Sequence, residues 1–592
     1  MTSLSLEKRI QNIDGKGYGA YKSLKGDYTF DTYILTIDHV QSDPYAPPSK
    51  VHITMNRDIS EFPLELSDTP WKQIALEDYI TRSFYNCAQS FTQDISISKC
   101  GQEILNRTSV DVSPTSIIVR FKVQFPASGR RILGQPFHKI IFNTLPQIVS
   151  QSLIYPTSTF TQDLIQSWIN LADDQHSLRE QIIEHNFVAF IANGSNLPRE
   201  SGNSDLPRDI NQSLPFQAPP SLTVSFTLPH KGAIVGMGIP AGITLIAGGG
   251  FHGKSTLLKA IEKGIYNHIP GDGREFVVTN PTAFKIRSED GRSVVKDDIS
   301  PFIKNLPWIS QSTTSKVVQI SRSTCSFSTE NASGSTSQAA NIVEAIESGS
   351  KLLLIDEDTS ASNFMTRDLI MSKIIVGDKE PITPFTELIK PLYDIYGISI
   401  ILIVGSSASY IPYSNTIIQM DSYTPIEITT QAKQAFFEVY PDFPLQNNEN
   451  IKENNNQNIN ENNNPLWSRE SERKVERGLI SLIDKVKIKA IELDSLIINK
   501  LMIDLRYVEQ LVDSEQLRTL GFIIEYIEKN LAGKGLNISQ IGDVMMQEIQ
   551  TKGLSFLTSG NNFWENLAII RKQDLLACLN RMRTLKINQQ FK

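Results

Sequence analysis

The chain has 592 residues, of which 40% are hydrophobic and 20% charged, so its size predicts about three or four domains of ordinary globular composition. Its 57 basic and 64 acidic residues leave a net charge of −7, which argues against a generally nucleic-acid-coating or membrane-surface protein. The four cysteines, Cys87, Cys100, Cys325 and Cys578, are scattered without a CxxC motif. Neither a disulfide framework nor a zinc site is therefore predicted.

The chain shows no targeting or membrane-spanning pattern. The amino-terminal stretch MTSLSLEKRIQNIDG lacks the apolar core of a signal peptide and carries an early acidic residue, unlike a transit peptide. The apolar run at 397–404 ends in GSSAS and is too short for a membrane span, so it predicts a buried strand. We expect a soluble intracellular protein, cytoplasmic or nuclear, that needs no membrane partner.

Residues 1–210 mix β-like runs, such as TYILTIDHVQ and SIIVRFKVQFP, with helical patterns, such as HKIIFNTLPQIVSQSLIY. This mixture predicts an α+β N-terminal domain. Within it, RFKVQFPASGRR (120–131) alternates basic and aromatic residues and is either a grip for a phosphate backbone or a strand with a solvated, charged edge. Its basic residues are Arg120, Lys122, Arg130 and Arg131.

Residues 211–445 alternate strand-like and helix-like segments. The strand-like runs are SLTVSFTLP, GITLIAG, EFVVTN, KVVQISR, KLLLIDED and ISIILIV, and helical patterns such as SQAANIVEAIESG lie between some of them. The alternation predicts an α/β domain with a largely parallel core sheet.

The stretch 446–465, QNNENIKENNNQNINENNNP, is almost wholly Asn, Glu and Gln. It cannot bury enough apolar surface to offset its ordering entropy, which predicts a disordered linker. Residues 466–592 are predicted to form a mostly helical C-terminal domain, as in the periodic stretch SLIINKLMIDLRYVEQLVDSEQLRTLGFIIEYIEKN. The basic tail of this domain, RKQDLLACLNRMRTLKINQQFK, is either a nucleic-acid-binding helix or an ordinary solvated helix face.

Residues 248–256 read GGGFHGKST, between the predicted strand GITLIA and a predicted helix. They fit the phosphate-binding loop GxxxxGK[ST], in which glycines let backbone N–H groups converge on phosphates, the lysine reaches the β- and γ-phosphates, and the next hydroxyl binds Mg²⁺. His252 either touches a phosphate or points towards solvent or a neighbouring loop, and we favour the second. The predicted nucleotide-binding residues are Gly248, Gly249, Gly250, Gly253, Lys254, Ser255 and Thr256.

Two carboxylates stand at the end of the apolar run in KLLLIDEDTSASNF (351–364). The run predicts a buried strand, and Asp356 and Glu357 follow it. One carboxylate at a strand end can hold Mg²⁺, together with the hydroxyl of Ser255, and a second can align or deprotonate an attacking water. GTPases and small-molecule kinases do not need that second acid. The pair favours a hydrolase with Asp356 as a metal ligand and with Glu357 and Lys254 as catalytic residues.

A third element, SGSTS, opens the helical pattern upstream of this strand. Its small residues offer hydroxyls and free amides at a helix start, which makes a second anion site, although such runs are normally helix caps or loops. The predicted site residues are Ser333, Gly334, Ser335 and Thr336. The order of the three elements is that of the ABC class, whose signature loop has the form LSGGQ.

With these motifs the chain resembles the predicted ABC-class ATPase family, a group without transmembrane domains, over nearly its whole length. The central match is residues 236–279, followed by IRSEDGRSV (286–294) and FSTENASGSTSQAANIVEAIE (327–347). IDGKGYGAYKSLKGDY (13–28) resembles the family's own N-terminal domain, and IDLRYVEQLVDSEQLRTLG (503–521) resembles its helical C-terminal domain.

The resemblance implies a P-loop NTPase core of ABC type that uses ATP and Mg²⁺. It implies a homodimer in which the signature loop of one chain, Ser333–Thr336, closes over ATP held by the P-loop of the other. Asp356 then corresponds to the Walker B carboxylate and Glu357 to the catalytic acid. Residues 360–363 occupy the D-loop, with Asn363 where an Asp is usual.

Two further positions depart from the family pattern or leave it open. The loop GSSAS (405–409) stands where a switch histidine is expected, and Ser406 lies nearest that position. A serine hydroxyl can hydrogen-bond to phosphate or water but carries no charge, so we expect slow hydrolysis. Phe226 has a plausible spacing for stacking on adenine, although a place in the core is the more common one for phenylalanine.

The sequence therefore predicts an ATP-hydrolysing homodimeric mechanoenzyme. RNA or a ribonucleoprotein is the expected client, because the family includes a kinetoplastid mitochondrial relative associated with RNA processing. The alternative is an ATP-gated dimeric binding module with little turnover, which the missing switch histidine favours slightly. A membrane-transporter motor is disfavoured, because neither flanking domain needs a membrane partner.

Overall fold

The computed structural model describes residues 1–304, 306–311, 317–322, 324–368, 374, 380–405, 407–441, 443, 466–467, 471–483, 486–558 and 564–591. The predicted linker at 446–465 and the predicted switch position Ser406 lie outside these residues. Among the helices that the structure describes, none combines the length and the apolar character needed to cross a membrane.

The first part of the chain is an antiparallel sheet with helices packed against it. The strands are β1 (Gly26–Thr29), β2 (Ile34–His39), β3 (Ser49–Asn56), β4 (Ile95–Ser96), β5 (Glu103–Ile104), β6 (Val110–Val112), β7 (Ser116–Val123), β8 (Ala127–Ser128) and β9 (Arg131–Ile132). The helices are α1 (Ser3–Ile13), α2 (Arg57–Ser60), α3 (Pro70–Phe91), α4 (Gly134–Lys139) and α5 (Leu145–Ser152). The main sheet has the order β1-β2-β3-β7-β4, and β6 also pairs with β7. The predicted α+β character of this part is confirmed.

Strand β7 shows how this sheet forms its core. Ile117, Val119 and Phe121 are fully buried and alternate with less buried residues, as expected when successive side chains point to opposite faces. Helix α3 begins behind Thr69, whose hydroxyl accepts the Lys72 N–H, and it packs against the sheet at β4 and β6. The apolar face of β7 thus faces the helices of this domain.

Helix α6 (Thr159–Glu184) leads into a second antiparallel sheet. Its strands are β10 (Phe187–Ala192), β11 (Thr223–Leu228), β12 (Gly232–Pro240) and β15 (Val277–Thr279), in the order β11-β12-β10-β15. Two of the runs predicted as strands, SLTVSFTLP and EFVVTN, therefore lie outside the parallel sheet. So does a third, KVVQISR, which forms the strand Val317–Arg322 and pairs with Leu306–Gln311 in a separate two-stranded sheet. Strand β10 pairs with strands that follow residue 210, and a domain boundary at 210 stays a prediction.

A six-stranded, largely parallel sheet forms the centre of the molecule, as predicted. Its strands are β13 (Ile243–Ala247), β16 (Phe284–Ile286), β21 (Leu352–Asp356), β22 (Ser399–Ile403), β23 (Thr416–Asp421) and β24 (Thr424–Glu427). The order is β16-β21-β22-β13-β23-β24, and only β23 and β24 are antiparallel. The shorter strands nearby are β14 (Asn267–His268), β17 (Val294–Asp297), β18 (Leu306–Gln311), β19 (Val317–Arg322) and β20 (Phe327–Thr329).

Helices cover both faces of this sheet. They are α7 (Lys254–Lys263), α8 (Gly334–Glu347), α9 (Ser362–Met365), α10 (Phe385–Tyr396) and α11 (Thr429–Val439). On β21, Leu353 packs with Ile342 of α8, whereas Leu354 packs with Leu258 of α7 in a separate apolar cluster. Burial on both faces explains why the central strands read as continuous apolar runs.

The C-terminal part contains both helices and strands. The helices are α12 (Ser514–Asn530), α13 (Ile538–Lys552) and α14 (Lys572–Asn580), and the strands are β25 (Ser471–Val475), β26 (Ile488–Ile491), β27 (Ser495–Ile498), β28 (Leu501–Asp504) and β29 (Ile587–Phe591). The helical pattern predicted from Ser495 is wrong for the first part of that stretch, where Ser495–Ile498 and Leu501–Asp504 are strands and the helix begins at Ser514. The segment folds back at Asn499, which has a φ of +56°, because Ile498 pairs with Leu501 in a two-residue hairpin.

The basic stretch at 120–131 is neither a solvated edge nor a phosphate grip along β7. Strand β7 is an interior strand, and the Arg120 guanidinium donates to the Thr108 carbonyl at 2.8 Å. Lys122 is also largely buried, and burial lowers the pKa of its ammonium group. Only the following turn is open to solvent, where Arg130 pairs with Asp43. Because successive side chains of a strand point to opposite faces, Arg120 and Lys122 lie on the face of the sheet opposite to Ile117, Val119 and Phe121. Lys122 there lies near Arg518 and Glu565 of the C-terminal domain.

Two arginines of the basic tail, Arg571 and Arg581, are likewise held inside the molecule, whereas Arg583 and Lys586 are exposed. Arg571 donates to Asp574 and to the carbonyls of Pro281 and Ala283, and Arg581 is buried against Glu289. Arg581 and Glu289 are 292 residues apart in the chain. These arginines connect the C-terminal domain to the central domain instead of forming an exposed basic face.

Candidate functional site

The glycine-rich loop lies between β13 and α7, at the carboxyl end of the parallel sheet. Buried Leu257 and Leu258 anchor α7, so the loop connects two rigid elements. Gly248 and Gly253 have φ angles of +142° and +93°. A Cβ atom on Gly248 would lie 2.5 Å from the Met420 carbonyl oxygen. Only glycine fits at these positions, because both the backbone angle and the available space exclude a side chain.

Lys254 closes the loop on itself. Its ammonium donates to the carbonyl oxygens of Gly248 and Gly249 at 2.6 and 2.8 Å. The first turn of α7 has no side-chain cap, Ser255 is exposed and Thr256 is partly exposed. These N–H groups and hydroxyls at a positive helix terminus form a site for an anion.

His252 binds the neighbouring turn, as favoured from the sequence. Its Nδ1 accepts the Ser422 N–H at 2.8 Å, and its carbonyl accepts the Tyr423 N–H at 3.1 Å. The imidazole therefore ties the P-loop to the turn between β23 and β24.

The acidic pair lies at the same edge of the sheet. Asp356 is the last residue of β21 and pairs in register with Ile403 of β22, which in turn pairs with Ile246 of β13. Asp356 therefore stands level with the end of the P-loop strand, two strands away and about 10 Å across the sheet. Its side chain is 6% exposed and accepts the Asp358 N–H at 3.1 Å. This is the placement expected of a metal-binding carboxylate.

Glu357 is held by the loop that follows β22. Its Oε2 accepts the Gly405 N–H at 2.7 Å. In the same loop Tyr410 donates to the Met365 carbonyl, and burial, together with the charge of Glu357, raises the pKa of its hydroxyl. The second carboxylate is thus oriented by a backbone amide of the loop where the sequence lacks a switch histidine.

The predicted signature residues form the start of α8. Ser333 is exposed and does not cap the helix with its side chain, so the first amides of α8 have no side-chain acceptor. Ser335 and Thr336 are buried, and their hydroxyls donate to Asn363 Oδ1 at 2.8 Å and to the Ser333 carbonyl at 3.0 Å. Ser333 is therefore the exposed residue of the four, and its hydroxyl lies 3.1 Å from Thr336 Oγ1.

A glutamine that sequence reasoning did not single out connects this helix to the D-loop. Gln338 of α8 accepts the Ala361 N–H at 2.8 Å and donates to Ser360 Oγ at 3.2 Å. Ser360 Oγ donates in turn to the Asp356 carbonyl at 2.8 Å. Helix α8, the segment 360–363 and strand β21 thus form one hydrogen-bonded unit within a single chain. Its position directly after SGSTS was the signal in the sequence.

The segment 286–294 joins the same helix to the C-terminal domain. The Glu289 N–H donates to Ser337 Oγ at 2.9 Å, and the Glu289 carboxylate accepts from Arg581 and Asn341. Burial acts to raise the pKa of Glu289, but the guanidinium groups of Arg581 and Arg292 outweigh it and hold the pKa below its usual value. A glutamate kept charged in the interior is consistent with a permanent connection between these elements.

The C-terminal domain also reaches the P-loop helix and a second point of α8. At the end of α7, the Tyr266 hydroxyl donates to the Gln510 carbonyl at 2.9 Å. At the end of α8, buried Arg473 donates to Glu347 Oε2 and lies 2.7 Å from Asp297 Oδ1. One domain therefore contacts both the helix that carries the P-loop and the helix that carries the signature residues.

Phe226 does not lie at the nucleotide loop. It is 5% exposed and packs edge-to-face with Phe187 and Phe190 inside the antiparallel sheet. The alternative of a core phenylalanine is confirmed.

Comparison with known proteins agrees with this arrangement. A family model described as the P-loop domain of ABC ATPases matches residues 161–457, which is half of the chain. The chain belongs to the ABC-class ATPase family. The model of the N-terminal domain of ABC-class ATPases matches residues 3–156, and the model of the MRB1590 C-terminal domain matches residues 487–588.

Three individual proteins match this ABC-class ATPase over less than half of its length. Uncharacterized protein MJ1628 of Methanocaldococcus jannaschii is 33% identical over 224 residues, which cover 35% of this chain and 47% of that protein. The chain thus spans about half the length of the curated relative it matches. Among solved structures, cbiO1 from Clostridium perfringens, part of the ABC transporter complex cbiONQ, is 13% identical over 46% of this chain and 96% of its own, with a TM-score of 0.23. MJ1267, an ATP-binding cassette of an ABC transporter, is 12% identical over 43% of this chain and 99% of its own, with a TM-score of 0.24.

Proposed function

We propose that this ABC-class ATPase hydrolyses ATP with Mg²⁺ and that two copies of the chain enclose the nucleotide. The observation that carries the proposal is the Glu357 carboxylate, fixed by the Gly405 amide beside Asp356 at the edge of the sheet where the P-loop begins. A nucleotide loop alone would serve binding, whereas a second, oriented carboxylate serves attack by water.

The residues present fit a magnesium nucleotide. The Lys254 ammonium donates to two carbonyl oxygens of the loop. With nucleotide it would instead bind the β- and γ-phosphates, whose oxygens would also accept hydrogen bonds from the free amides of α7. Ser255 and Asp356 supply the hydroxyl and the carboxylate that would hold Mg²⁺. The metal ion, when bound, neutralises charge that develops on the transferred phosphoryl group.

Glu357 is the residue placed to orient the attacking water. Its Oε2 is fixed by Gly405, which leaves Oε1 to accept a proton from that water. Lys254 stabilises the negative charge that develops on the phosphate oxygens. The missing switch histidine removes one charged contact with the γ-phosphate, which supports slow turnover.

A second copy of the chain supplies what one chain leaves open. The start of α8 has no side-chain cap and carries the exposed Ser333, and it is the proposed second anion site, separate from the P-loop. The P-loop also exposes the apolar ring of Phe251, whose exposed fraction is 99%. Two copies related by a two-fold axis would bring each signature helix to the partner's nucleotide and cover this ring.

The C-terminal domain is the part placed to transmit the motion. It contacts the end of α7 at Tyr266, and its Arg473 and Arg581 contact α8 and the segment beside it. If closure of the dimer changes the distance or angle between α7 and α8, the C-terminal domain would move with them. RNA or a ribonucleoprotein is the proposed client. The support for this client is the family resemblance. The basic residues add no support, because Arg120, Arg571 and Arg581 bond to groups of the protein itself.

The test compares phosphate release and oligomeric state in four forms of the full chain: wild type, Glu357→Gln, Lys254→Ala and Asp358→Asn. We expect Glu357→Gln to lower phosphate release at least roughly 100-fold and to accumulate an ATP-bound dimer by light scattering. Lys254→Ala removes ATP binding. Asp358→Asn, a change in the neighbouring exposed carboxylate, is the matched control and behaves as wild type.

Other outcomes separate the two readings of the site. Equal phosphate release by Glu357→Gln and wild type contradicts the catalytic role of this carboxylate. If wild type releases no more phosphate than Lys254→Ala but still dimerises with ATP, the ATP-gated binding module replaces the enzyme. Ultraviolet cross-linking of the full chain in cells tests the client, and recovery of no RNA rejects the nucleic-acid part alone.

A further inference from the structure

The turn between β23 and β24 has an unusual composition for its backbone shape. Asp421 pairs with Thr424, so Ser422 and Tyr423 alone form the turn. Their φ angles are +49° and +70°, and positive φ at both central residues marks the type I′ turn that favours Asn-Gly or Gly-Gly. A tyrosine in this conformation is strained, because its Cβ crowds the neighbouring backbone. The chain keeps an aromatic ring where glycine would be relaxed.

The ring of Tyr423 lies at the P-loop. A Cβ atom on Gly253 would be 2.7 Å from Tyr423 Cδ1, so the ring rests against the residue immediately before Lys254. The exposed fraction of Tyr423 is 56%. His252 fixes the turn through the Ser422 and Tyr423 amides. An exposed aromatic surface is thus held rigidly beside the phosphate-binding loop.

The sheet order decides which end of a nucleotide would meet this ring. Asp356 stands on β21, two strands to one side of β13, and marks the side of the metal and the γ-phosphate. Strand β23, which carries the turn, is the neighbour of β13 on the opposite side. A nucleotide whose terminal phosphate faces Asp356 therefore extends its base towards Tyr423.

We propose, on the basis of the nucleotide site proposed above, that Tyr423 stacks on the base of the bound nucleoside triphosphate and makes the site prefer purines to pyrimidines. Aromatic side chains bind bases by contact between π-faces, and a purine offers the larger face. Phe226, the aromatic residue expected from the sequence, is buried and leaves this role open.

The test measures the affinities of wild type, Tyr423→Phe, Tyr423→Ala and Tyr423→Gly for three probes by calorimetry with Mg²⁺: ATP, UTP and inorganic tripolyphosphate. We expect Tyr423→Ala to weaken ATP binding roughly 5- to 30-fold, to weaken UTP binding less, and to leave tripolyphosphate binding unchanged. Tyr423→Phe keeps the ring and stays within about two-fold of wild type. Tyr45→Ala, at an exposed tyrosine of the N-terminal domain, is the control.

Tyr423→Gly separates a binding role from a structural one. Glycine relieves the positive φ, so we expect this variant to melt at a higher temperature than wild type without nucleotide and to lose ATP affinity as Tyr423→Ala does. Equal weakening of ATP and tripolyphosphate, or unchanged ATP binding by Tyr423→Ala, overturns the stacking while the proposed ATPase stands. Failure of wild type to bind either probe overturns both.

Discussion

Glu357 Oε2 lies 2.7 Å from the Gly405 amide nitrogen, and this bond joins the end of strand β21 to the loop that follows β22. The donor is a backbone N–H, which any residue except proline supplies. The residue type at position 405 therefore gives no sign of this hydrogen bond in the sequence.

The Gly405 amide gives a direct test of how Glu357 is oriented. Gly405→Pro removes the N–H, and because hydrogen bonds to charged groups are worth about 1.5–3 kcal/mol, we expect phosphate release to fall roughly 10-fold or more with ATP affinity retained. Gly405→Ala keeps the donor, and the nearest atom that its Cβ would meet among the described residues beyond its chain neighbours is Glu357 Oε2 at 3.8 Å, so it should behave as wild type. Steady-state phosphate release and ATP titration check both variants. Equal rates for the two would show that the amide does not orient Glu357.

The bond from Ser335 to Asn363 should couple the signature helix to the D-loop. Asn363→Ala removes the acceptor of the Ser335 hydroxyl, and we expect the ATP-dependent dimer to weaken roughly 3- to 10-fold, because a neutral hydrogen bond contributes about 0.5–1.5 kcal/mol. Asn363→Asp keeps an acceptor and should restore dimerisation. Sedimentation with ATP provides the dimer dissociation constants. Wild-type dimerisation of Asn363→Ala would separate the D-loop from assembly.

Arg473 should be essential for the attachment of the C-terminal domain. Its guanidinium is 3% exposed between Asp297 and Glu347, and its loss would leave buried carboxylates without their cation. We expect Arg473→Met to lower the free energy of unfolding by about 3–5 kcal/mol. Chemical denaturation measures this loss.

Arg506 offers the matched comparison. It is an exposed arginine paired with Asp504, and Arg506→Met should leave the unfolding midpoint nearly unchanged, because exposed ion pairs are screened by solvent. If Arg473→Met is as stable as Arg506→Met, the buried cluster does not attach the domain.

Glu77 should make the stability of the N-terminal domain depend on pH. Burial raises its pKa from 4.5 to about 8, although Gln73 and the Val112 amide donate to it. The folded state therefore holds a proton that the unfolded state has released between about pH 4.5 and 8, and stability falls as the pH rises through this window.

Glu77→Gln should flatten this dependence, because glutamine does not titrate. At pH 8 the variant should therefore melt at a higher temperature than wild type, since wild type loses about 1 kcal/mol of unfolding free energy for each pH unit through the window. Thermal melts at pH 5, 6.5 and 8 measure it. Glu65→Gln, in a more open part of the same domain, is the control. Parallel pH profiles of wild type and Glu77→Gln would contradict a protonated Glu77.

The local chemistry of the nucleotide loop and the acidic strand end could be predicted from the sequence, because glycines, a lysine and a carboxylate pair at fixed spacing follow backbone geometry. The continuous apolar runs likewise identified the parallel strands β13, β21 and β22. The same reasoning failed at residues 495–504, where short runs rich in β-branched residues fit a strand or a helix equally well and only the pairing of Ile498 with Leu501 decides.

The fate of the charged and aromatic residues was decided by the tertiary structure. Arg571 and Arg581 could have been surface cations, but they bond to Pro281 and Glu289, which lie 290 and 292 residues away, and no periodicity predicts such pairs. The aromatic ring beside the P-loop belongs to Tyr423, whose position depends on strand order. Sequence by itself determined the chemistry of each segment, since backbone geometry is local. Only the fold decided which segments meet, because burial and pairing depend on contacts between residues hundreds of positions apart.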